Sequence, residues 1–158
     1  MVWGLIAEGA SIHARDRNGV TALAHAAYWG RDEIVRELIR AGAQVRDRDS
    51  GGLTPLAHAA LIGHSPTIEL LLQHGADINE ADRDGMTPLM FAAGATRTSP
   101  ALITLLIDSG ADPLRTDAEG RSARDYAVEA QRHEIAAMLG EARAANRQEP
   151  SVAAVGYR

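Results

Sequence analysis

The sequence contains no cysteine, no lysine and only six aromatic residues among 158. Without cysteine, the chain has no disulfide, no thiolate metal ligand and no cysteine nucleophile. The shortage of aromatic residues argues against a β-sandwich, whose core needs aromatic and β-branched side chains. No apolar run approaches the roughly 18 residues of a membrane span, so we expect no membrane partner. Residues 1–10 lack a basic segment followed by a long apolar stretch, so we expect no signal peptide.

The charge composition also excludes a class of partner. The chain has 16 basic residues, all arginine, and 21 acidic residues, which gives a net charge of −5. A mildly acidic chain binds phosphate backbones poorly, so we expect no direct nucleic-acid partner. The absence of lysine suggests a GC-rich genome and therefore a bacterial source. We expect a cytoplasmic location, with secretion as an effector as the open alternative.

Alanine is abundant, with 30 residues, and the chain repeats itself. Residues 19–27 (GVTALAHAA) recur as GLTPLAHAA at 52–60, GMTPLMFAA at 85–93 and GRSARDYAV at 120–128. The first glycines of these segments are 33, 33 and 35 residues apart. A second segment, LIRAGA at 38–43, has counterparts at 5–10, 71–76 and 106–111. Two segments with one period predict an all-α solenoid of closely packed helices.

Each repeat predicts two helices and a connecting loop. A hydroxyl residue stands where a side chain can cap the first helix, namely Thr21, Thr54, Thr87 and Ser122. Pro55 and Pro88 follow at the first helical position, where a missing N–H group has no cost. Apolar residues at helical spacing predict the second helix, and a glycine follows its end. The polar, turn-rich remainder predicts an extended hairpin.

These motifs resemble the ankyrin repeat family. The match follows the family pattern at Gly52-x-Thr54-Pro55-Leu56 and at the LLxxGADIN segment of residues 71–79. The resemblance covers residues 1–143. It implies a right-handed stack of helix–turn–helix units with projecting β-hairpin loops, and a concave face that binds a protein partner. The divisions are a half repeat 1–15, repeats 16–48, 49–81 and 82–116, a capping repeat 117–143 and a flexible tail 144–158.

The chain departs from the family pattern at several positions. Ala24, Ala57 and Met90 replace the histidine that usually follows the Thr-Pro-Leu segment. Two extra residues within 96–100 predict a longer loop between the helices of the third repeat. The half repeat at the start lacks a first helix, which leaves Val2, Leu5 and Ile6 uncovered. We therefore expect either self-association through this helix or a longer repeat array.

Few residues are candidates for catalysis or metal binding. His25 and His58 occupy equivalent positions and would be the candidates for a metal site. Phe91 and Tyr126 take the same position in the other repeats, so we interpret it as an inward packing slot for a flat ring. Hairpin acids are interpreted as turn-forming residues, namely Asp47, Asp49, Asp82, Asp84, Asp117 and Glu119. We therefore expect no catalytic residue, metal or cofactor, and keep a small metal-dependent or acid–base enzyme as a remote alternative.

The resemblance also assigns a candidate binding surface. In the family, the residues that follow the Ala-Ala pair of the first helix point toward the concave face, as do those between the hairpin glycine and the threonine. The predicted apolar strip contains Val20, Tyr28, Trp29, Leu53, Leu61, Ile62 and Met86, and it ends at Gly94 and Ala95. Its predicted rim contains Arg17, Asn18, Arg83, Asp84 and Glu119. Exposed aromatic, apolar and arginine residues are typical of protein interfaces. Two alternatives stay open: the strip packs between repeats, or the chain is a structural or regulatory segment of a larger protein.

Overall fold

The computed structural model describes residues 11–148, which fold as four pairs of short helices arranged in one row. The helices are α1 (Ala22–Tyr28), α2 (Asp32–Arg40), α3 (Pro55–Ile62), α4 (Ser65–Gln73), α5 (Pro88–Gly94), α6 (Pro100–Asp108), α7 (Ala123–Glu129) and α8 (His133–Gln148). The predicted all-α repeat fold is confirmed. The part of the half repeat at 1–10, with Val2, Leu5 and Ile6, and the end of the tail at 149–158 lie outside the described residues.

The first helix of each repeat begins where the sequence predicts. Thr54 Oγ1 accepts a hydrogen bond from the Ala57 backbone N–H at 3.2 Å, and Pro55 takes the first helical position. The equivalent threonines of the first and third repeats make the same contact. In the fourth repeat the Asp125 carboxylate accepts hydrogen bonds from both the backbone N–H and the hydroxyl of Ser122. These caps satisfy N–H groups that the helix itself leaves unpaired.

The core lies between the two helix layers and continues from one repeat to the next. First helices pack against first helices along the row, and second helices pack against each other at the α2–α4 and α6–α8 junctions. Leu23, Leu56 and Leu89 are almost fully buried at equivalent positions, and small alanines beside them let the first helices approach closely. Ile68 and Leu71 fill the second layer. Burial of each large apolar side chain contributes about 2 kcal/mol of stability.

The hairpin loops form a continuous edge, although residues 11–148 contain isolated β-bridges and no strand. One backbone hydrogen bond joins each loop to the next at every junction. The Ser50 N–H donates to the Asn18 carbonyl at 2.8 Å, and the Arg83 N–H donates to the Gly51 carbonyl at 3.1 Å. The Ala118 N–H donates to the Asp84 carbonyl at 2.8 Å. The edge is therefore tied along its length.

Two differences in length follow from local sequence. Residues 95–99 separate the helices of the third repeat, whereas residues 63–64 separate those of the second, so the predicted longer loop is confirmed. Helix α8 continues to Gln148, so residues 144–148 are helical rather than part of the flexible tail predicted for 144–158. Alanine and arginine are strong helix formers, and the first helix breaker in this stretch is Pro150.

A strained residue at the end of α7 leads to the first prediction. Gln131 has φ of +58°, at the position that Gly30 and Gly63 occupy in the first two repeats. We expect Gln131→Gly to raise the free energy of unfolding by about 0.5 kcal/mol, because relief of left-handed strain exceeds the entropic cost of glycine. Urea unfolding followed by circular dichroism measures this change. A loss of stability would show that the Gln131 side chain stabilises the cap repeat.

Candidate functional site

An open pocket of about 310 Å³ lies between α1 and α3, beside the first hairpin loop. We call it the hairpin-side pocket. Its walls are mainly apolar. The lining residues are Val20, Ala24, His25, Tyr28, Trp29, His58 and Leu61.

The structure brings together part of the predicted strip. Val20, Tyr28, Trp29 and Leu61 line the hairpin-side pocket, and Trp29 is 64% exposed. The other predicted apolar residues are half-buried and lie outside the lining, namely Leu53, Ile62, Met86, Gly94 and Ala95. Among these, Met86 packs against the core. The side chains predicted for the rim are exposed, namely Arg17, Asn18, Arg83, Asp84 and Glu119.

Aromatic contacts hold the pocket wall in place. The Tyr28 ring meets the Trp29 ring edge-on, with centroids 5.1 Å apart and planes at 85°. The Tyr28 ring also makes an edge-on contact with the His58 ring, with centroids 6.2 Å apart and planes at 78°. Such edge-to-face pairs contribute about 0.5–1.5 kcal/mol each beyond their burial. Tyr28 therefore links the two repeats that form the pocket.

The two histidines are fixed by hairpin aspartates, a feature that the sequence analysis missed. Asp16 Oδ2 lies 2.9 Å from His25 Nε2, and Asp49 Oδ2 lies 3.0 Å from His58 Nε2. The interpretation of this position as an inward packing slot is wrong for His25, whose side chain is 53% exposed and whose Nε2 atom faces a carboxylate, whereas the His58 side chain is only 13% exposed. The sequence does contain a signal for these contacts, because every repeat has an aspartate nine residues before the aromatic or histidine ring.

Each of these aspartates also shapes its own loop. Asp49 Oδ1 accepts hydrogen bonds from the backbone N–H groups of Gly51 and Leu53, at 2.8 and 2.9 Å. Asp16 makes the same two contacts, and the Val20 N–H and then the His25 ring lower the pKa of its carboxyl group. One carboxylate thus defines the turn and orients the ring beside it.

The hairpin-side pocket holds no arrangement that resembles a metal site. Within residues 11–148, no three histidine or carboxylate side chains come close enough to hold one ion. The Nε2 atoms of His25 and His58 each face their own aspartate rather than each other. The chemistry available here is apolar contact with polar edges.

The fourth repeat replaces the histidine by a tyrosine in the same contact. The Tyr126 hydroxyl donates to Asp117 Oδ2 at 2.5 Å, and the Arg121 guanidinium lies 4.7 Å above the Tyr126 ring. The hydrogen bond from Tyr126 is the main reason that the pKa of Asp117 falls from 3.8 to about 2. Burial and the bond to Asp117 raise the pKa of Tyr126 from 10.0 to about 12.

These shifts predict how stability depends on pH. We expect Tyr126→Phe to be less stable than the wild type at neutral pH, and the difference to shrink at both extremes. Because the folded state lowers the pKa of Asp117, its contribution is present above pH 3.8 and is lost toward pH 2. Because the folded state raises the pKa of Tyr126, its contribution is present below pH 10 and is lost toward pH 12. Thermal midpoints of both proteins across pH measure this difference, with Tyr28→Phe as the control. A difference independent of pH would contradict the assignment.

Charged pairs join neighbouring hairpin loops along the same edge. Arg15 lies 2.7 Å from Asp47, and Arg48 lies 2.9 Å from Glu80. Exposed pairs of this kind contribute less than about 1 kcal/mol each. These pairs offset the positive charge of arginines that alternate with aspartates in the sequence.

In the described part of the chain, no helix has the length and apolarity to cross a bilayer.

Comparison with known families agrees with this architecture. Residues 1–82 match the family described as ankyrin repeats (3 copies), and residues 71–127 match the one described as ankyrin repeats (many copies). No curated protein matches the chain. The matched segments include all residues that line the hairpin-side pocket. The chain belongs to the ankyrin repeat family.

Proposed function

We propose that this chain is a non-enzymatic binding module that holds a protein partner in the hairpin-side pocket and along the adjoining strip. Ankyrin repeats are generally protein–protein interaction modules. The observation that carries the proposal is an open apolar pocket between two repeats, with aromatic walls and polar edges. A pocket of about 310 Å³ is large enough for one or two apolar side chains of a partner.

The fixed positions of the lining residues support binding. Tyr28 contacts both Trp29 and His58, and both histidines are oriented by aspartates. Backbone hydrogen bonds tie the hairpin loops at each junction. Side chains that are already ordered lose little entropy on association, so more of the contact energy becomes affinity.

The exposed residues around the pocket favour a partner that presents an apolar anchor within a polar segment. Trp29 contributes a large exposed ring, and Arg17 lies in the adjoining hairpin loop. Tryptophan, tyrosine and arginine account for much of the binding energy at protein interfaces. The metal-dependent form of the remote enzyme alternative lacks support, because no three histidine or carboxylate side chains within residues 11–148 come close enough to hold one ion.

Selection from a random peptide library displayed on phage tests the proposal. We expect selected peptides to bind the wild type, and Leu61→Asp to weaken binding by about 30-fold, the effect of losing a 2 kcal/mol anchor. Leu61 is suitable because it lines this pocket and is only half-buried. Circular dichroism checks that the variant keeps its helices.

The matched control is Ile34→Asp, which places the same charge on an exposed residue outside this pocket. We expect it to bind the selected peptides like the wild type. Equal binding by Leu61→Asp would contradict the proposal and assign the strip to packing between repeats. Trp29 is unsuitable for this test because it also lines a second pocket.

A further inference from the structure

The fourth repeat holds an arginine against an aspartate and an aromatic ring, and we call such a pair of aspartate and ring a hairpin corner. The Arg121 guanidinium lies over the Tyr126 ring, 4.7 Å from its centre. The Nε and Nη2 atoms of Arg121 each lie 3.0 Å from Asp117 Oδ2. This hairpin corner therefore binds a guanidinium group through both a carboxylate and a ring face.

The first repeat has a hairpin corner of the same design but no arginine in it. Asp16 and His25 are the equivalents of the aspartate and the tyrosine, and Asp16 Oδ2 lies 2.9 Å from His25 Nε2. The equivalent of Arg121 is Val20, a short side chain without charge. Val20 and His25 both line the hairpin-side pocket, so the first hairpin corner opens into that pocket.

The carboxylate of the first hairpin corner is accessible and has capacity for another donor. The Asp16 side chain is 40% exposed, whereas that of Asp49, its equivalent in the second repeat, is 10% exposed. Asp16 Oδ1 accepts from two backbone N–H groups of its own loop. Among the described residues, Asp16 Oδ2 contacts the His25 ring alone. Because a carboxylate oxygen can accept more than one hydrogen bond, Oδ2 can accept a second one from a ligand.

The charges around the first hairpin corner favour a cation. Within residues 11–148, no arginine lies within ion-pair distance of the Asp16 carboxylate. Arg15, which precedes it, is directed to the second hairpin loop, where its guanidinium lies 2.7 Å from Asp47. Neutral His25 donates its Nε2 proton to Asp16, so its Nδ1 atom is an acceptor. The first hairpin corner thus presents acceptors, which match a group that only donates.

We propose that the first hairpin corner, formed by Asp16 and His25, binds an arginine side chain of the protein partner, next to the partner's apolar anchor in the hairpin-side pocket. The guanidinium stacks on the His25 ring and pairs with Asp16 Oδ2, as Arg121 does in the fourth repeat. Arginine fits better than lysine, because its planar group stacks on a ring and bonds to a carboxylate at once. This inference rests on the proposed function, since it specifies the partner of the same pocket.

The peptides selected on phage test this inference through their arginine content. Among peptides that bind the wild type and lose binding to Leu61→Asp, we expect one arginine to recur beside the apolar residue. Replacement of that arginine by citrulline, which keeps its shape but not its charge, should weaken binding about 10-fold. Fluorescence anisotropy of the labelled arginine and citrulline peptides measures both affinities.

Substitution of the aspartate makes the test specific to the first hairpin corner. Asp16→Asn should also weaken binding of the arginine peptide about 10-fold, because asparagine still accepts from the loop N–H groups but has no charge. The arginine and citrulline peptides should bind this variant alike. The matched control is Asp82→Asn, which changes the equivalent turn residue of the third repeat, outside the pocket lining. It should leave binding unchanged.

The outcomes separate this inference from the proposed function. Leu61-dependent peptides without arginine, or equal affinities of the arginine and citrulline peptides for the wild type, would overturn the inference and leave the proposed function intact. The absence of any Leu61-dependent peptide would overturn both. A loss from Asp82→Asn as large as that from Asp16→Asn would overturn the inference by assigning the effect to overall charge.

Discussion

Gly52→Ala should destabilise the protein by about 3 kcal/mol, a larger loss than strain alone produces. Gly52 is buried in the second hairpin loop with φ of +90°, a conformation that other residues rarely adopt. A Cβ on Gly52 would lie 2.8 Å from the backbone nitrogen of Arg83. That nitrogen donates to the Gly51 carbonyl at 3.1 Å, so relief of the clash would weaken the hydrogen bond between the two loops.

Gly75→Ala is the matched control for this prediction. Gly75 has nearly the same backbone conformation, with φ of +86°, but a Cβ there would meet nothing within 4 Å. We expect Gly75→Ala to lower the free energy of unfolding only by the cost of backbone strain, about 1–2 kcal/mol. Urea unfolding followed by circular dichroism measures both variants, and agreement with a fluorescence probe checks that the repeats unfold together. Equal losses of stability for Gly52→Ala and Gly75→Ala would show that the clash at Gly52 is relieved without cost to the contact between the two loops.

The sequence predicted most of the fold because the repeat imposes local chemistry at fixed positions. Thr54 and Pro55 identified the start of α3, and the extra residues in 96–100 identified the longer loop of the third repeat. Each of these signals depends only on residues that are close together in the sequence. The reason for a glycine at Gly52 was harder to find, because it depends on the backbone of the next repeat.

The candidate site was predicted only in part, for the same physical reason. Val20, Tyr28 and Leu61 were identified by family register and do line the hairpin-side pocket. Met86 holds the same register position as Val20, yet it packs against the core of the stack. His25 and His58 are equivalent in sequence, but their side chains are 53% and 13% exposed. Exposure depends on the neighbouring repeat, which the pattern within one repeat does not encode.

Arg132 is the clearest example of a residue whose role depends on a neighbouring repeat. It lies between α7 and α8, and its guanidinium extends into the long loop of the third repeat. It donates to the carbonyls of Ala92, Ala95 and Thr98 and to the Thr98 hydroxyl. The Thr98 hydroxyl in turn shares its one proton between the Ala92 and Ala95 carbonyls, at 2.5 and 2.9 Å. The partial burial of its guanidinium lowers the pKa of Arg132.

We expect Arg132→Ala to destabilise the protein by about 3 kcal/mol, because several carbonyls in a partly buried loop lose their donor at once. These carbonyls lie at and beyond the end of α5, where a helix has unpaired acceptors and favours a positive charge. Arg132→Lys should recover only part of the loss, since an ammonium group lacks the planar fork that contacts several acceptors. Arg124→Ala, the control at an exposed arginine of the same repeat, should change stability by less than about 0.5 kcal/mol.

A double-mutant cycle separates the role of Arg132 in this loop from a general effect of charge. Thr98→Val removes the hydroxyl that both accepts from Arg132 and donates to the helix end. If the two side chains act as one unit, the double variant should be more stable than the sum of the single losses predicts, by about 1 kcal/mol. Additive losses would mean that Arg132 acts on the backbone alone. A loss from Arg132→Ala no larger than that from Arg124→Ala would show that the long loop keeps its structure without the arginine. The third and fourth repeats would then be joined by helix packing and by the hydrogen bond from the Ala118 N–H to the Asp84 carbonyl.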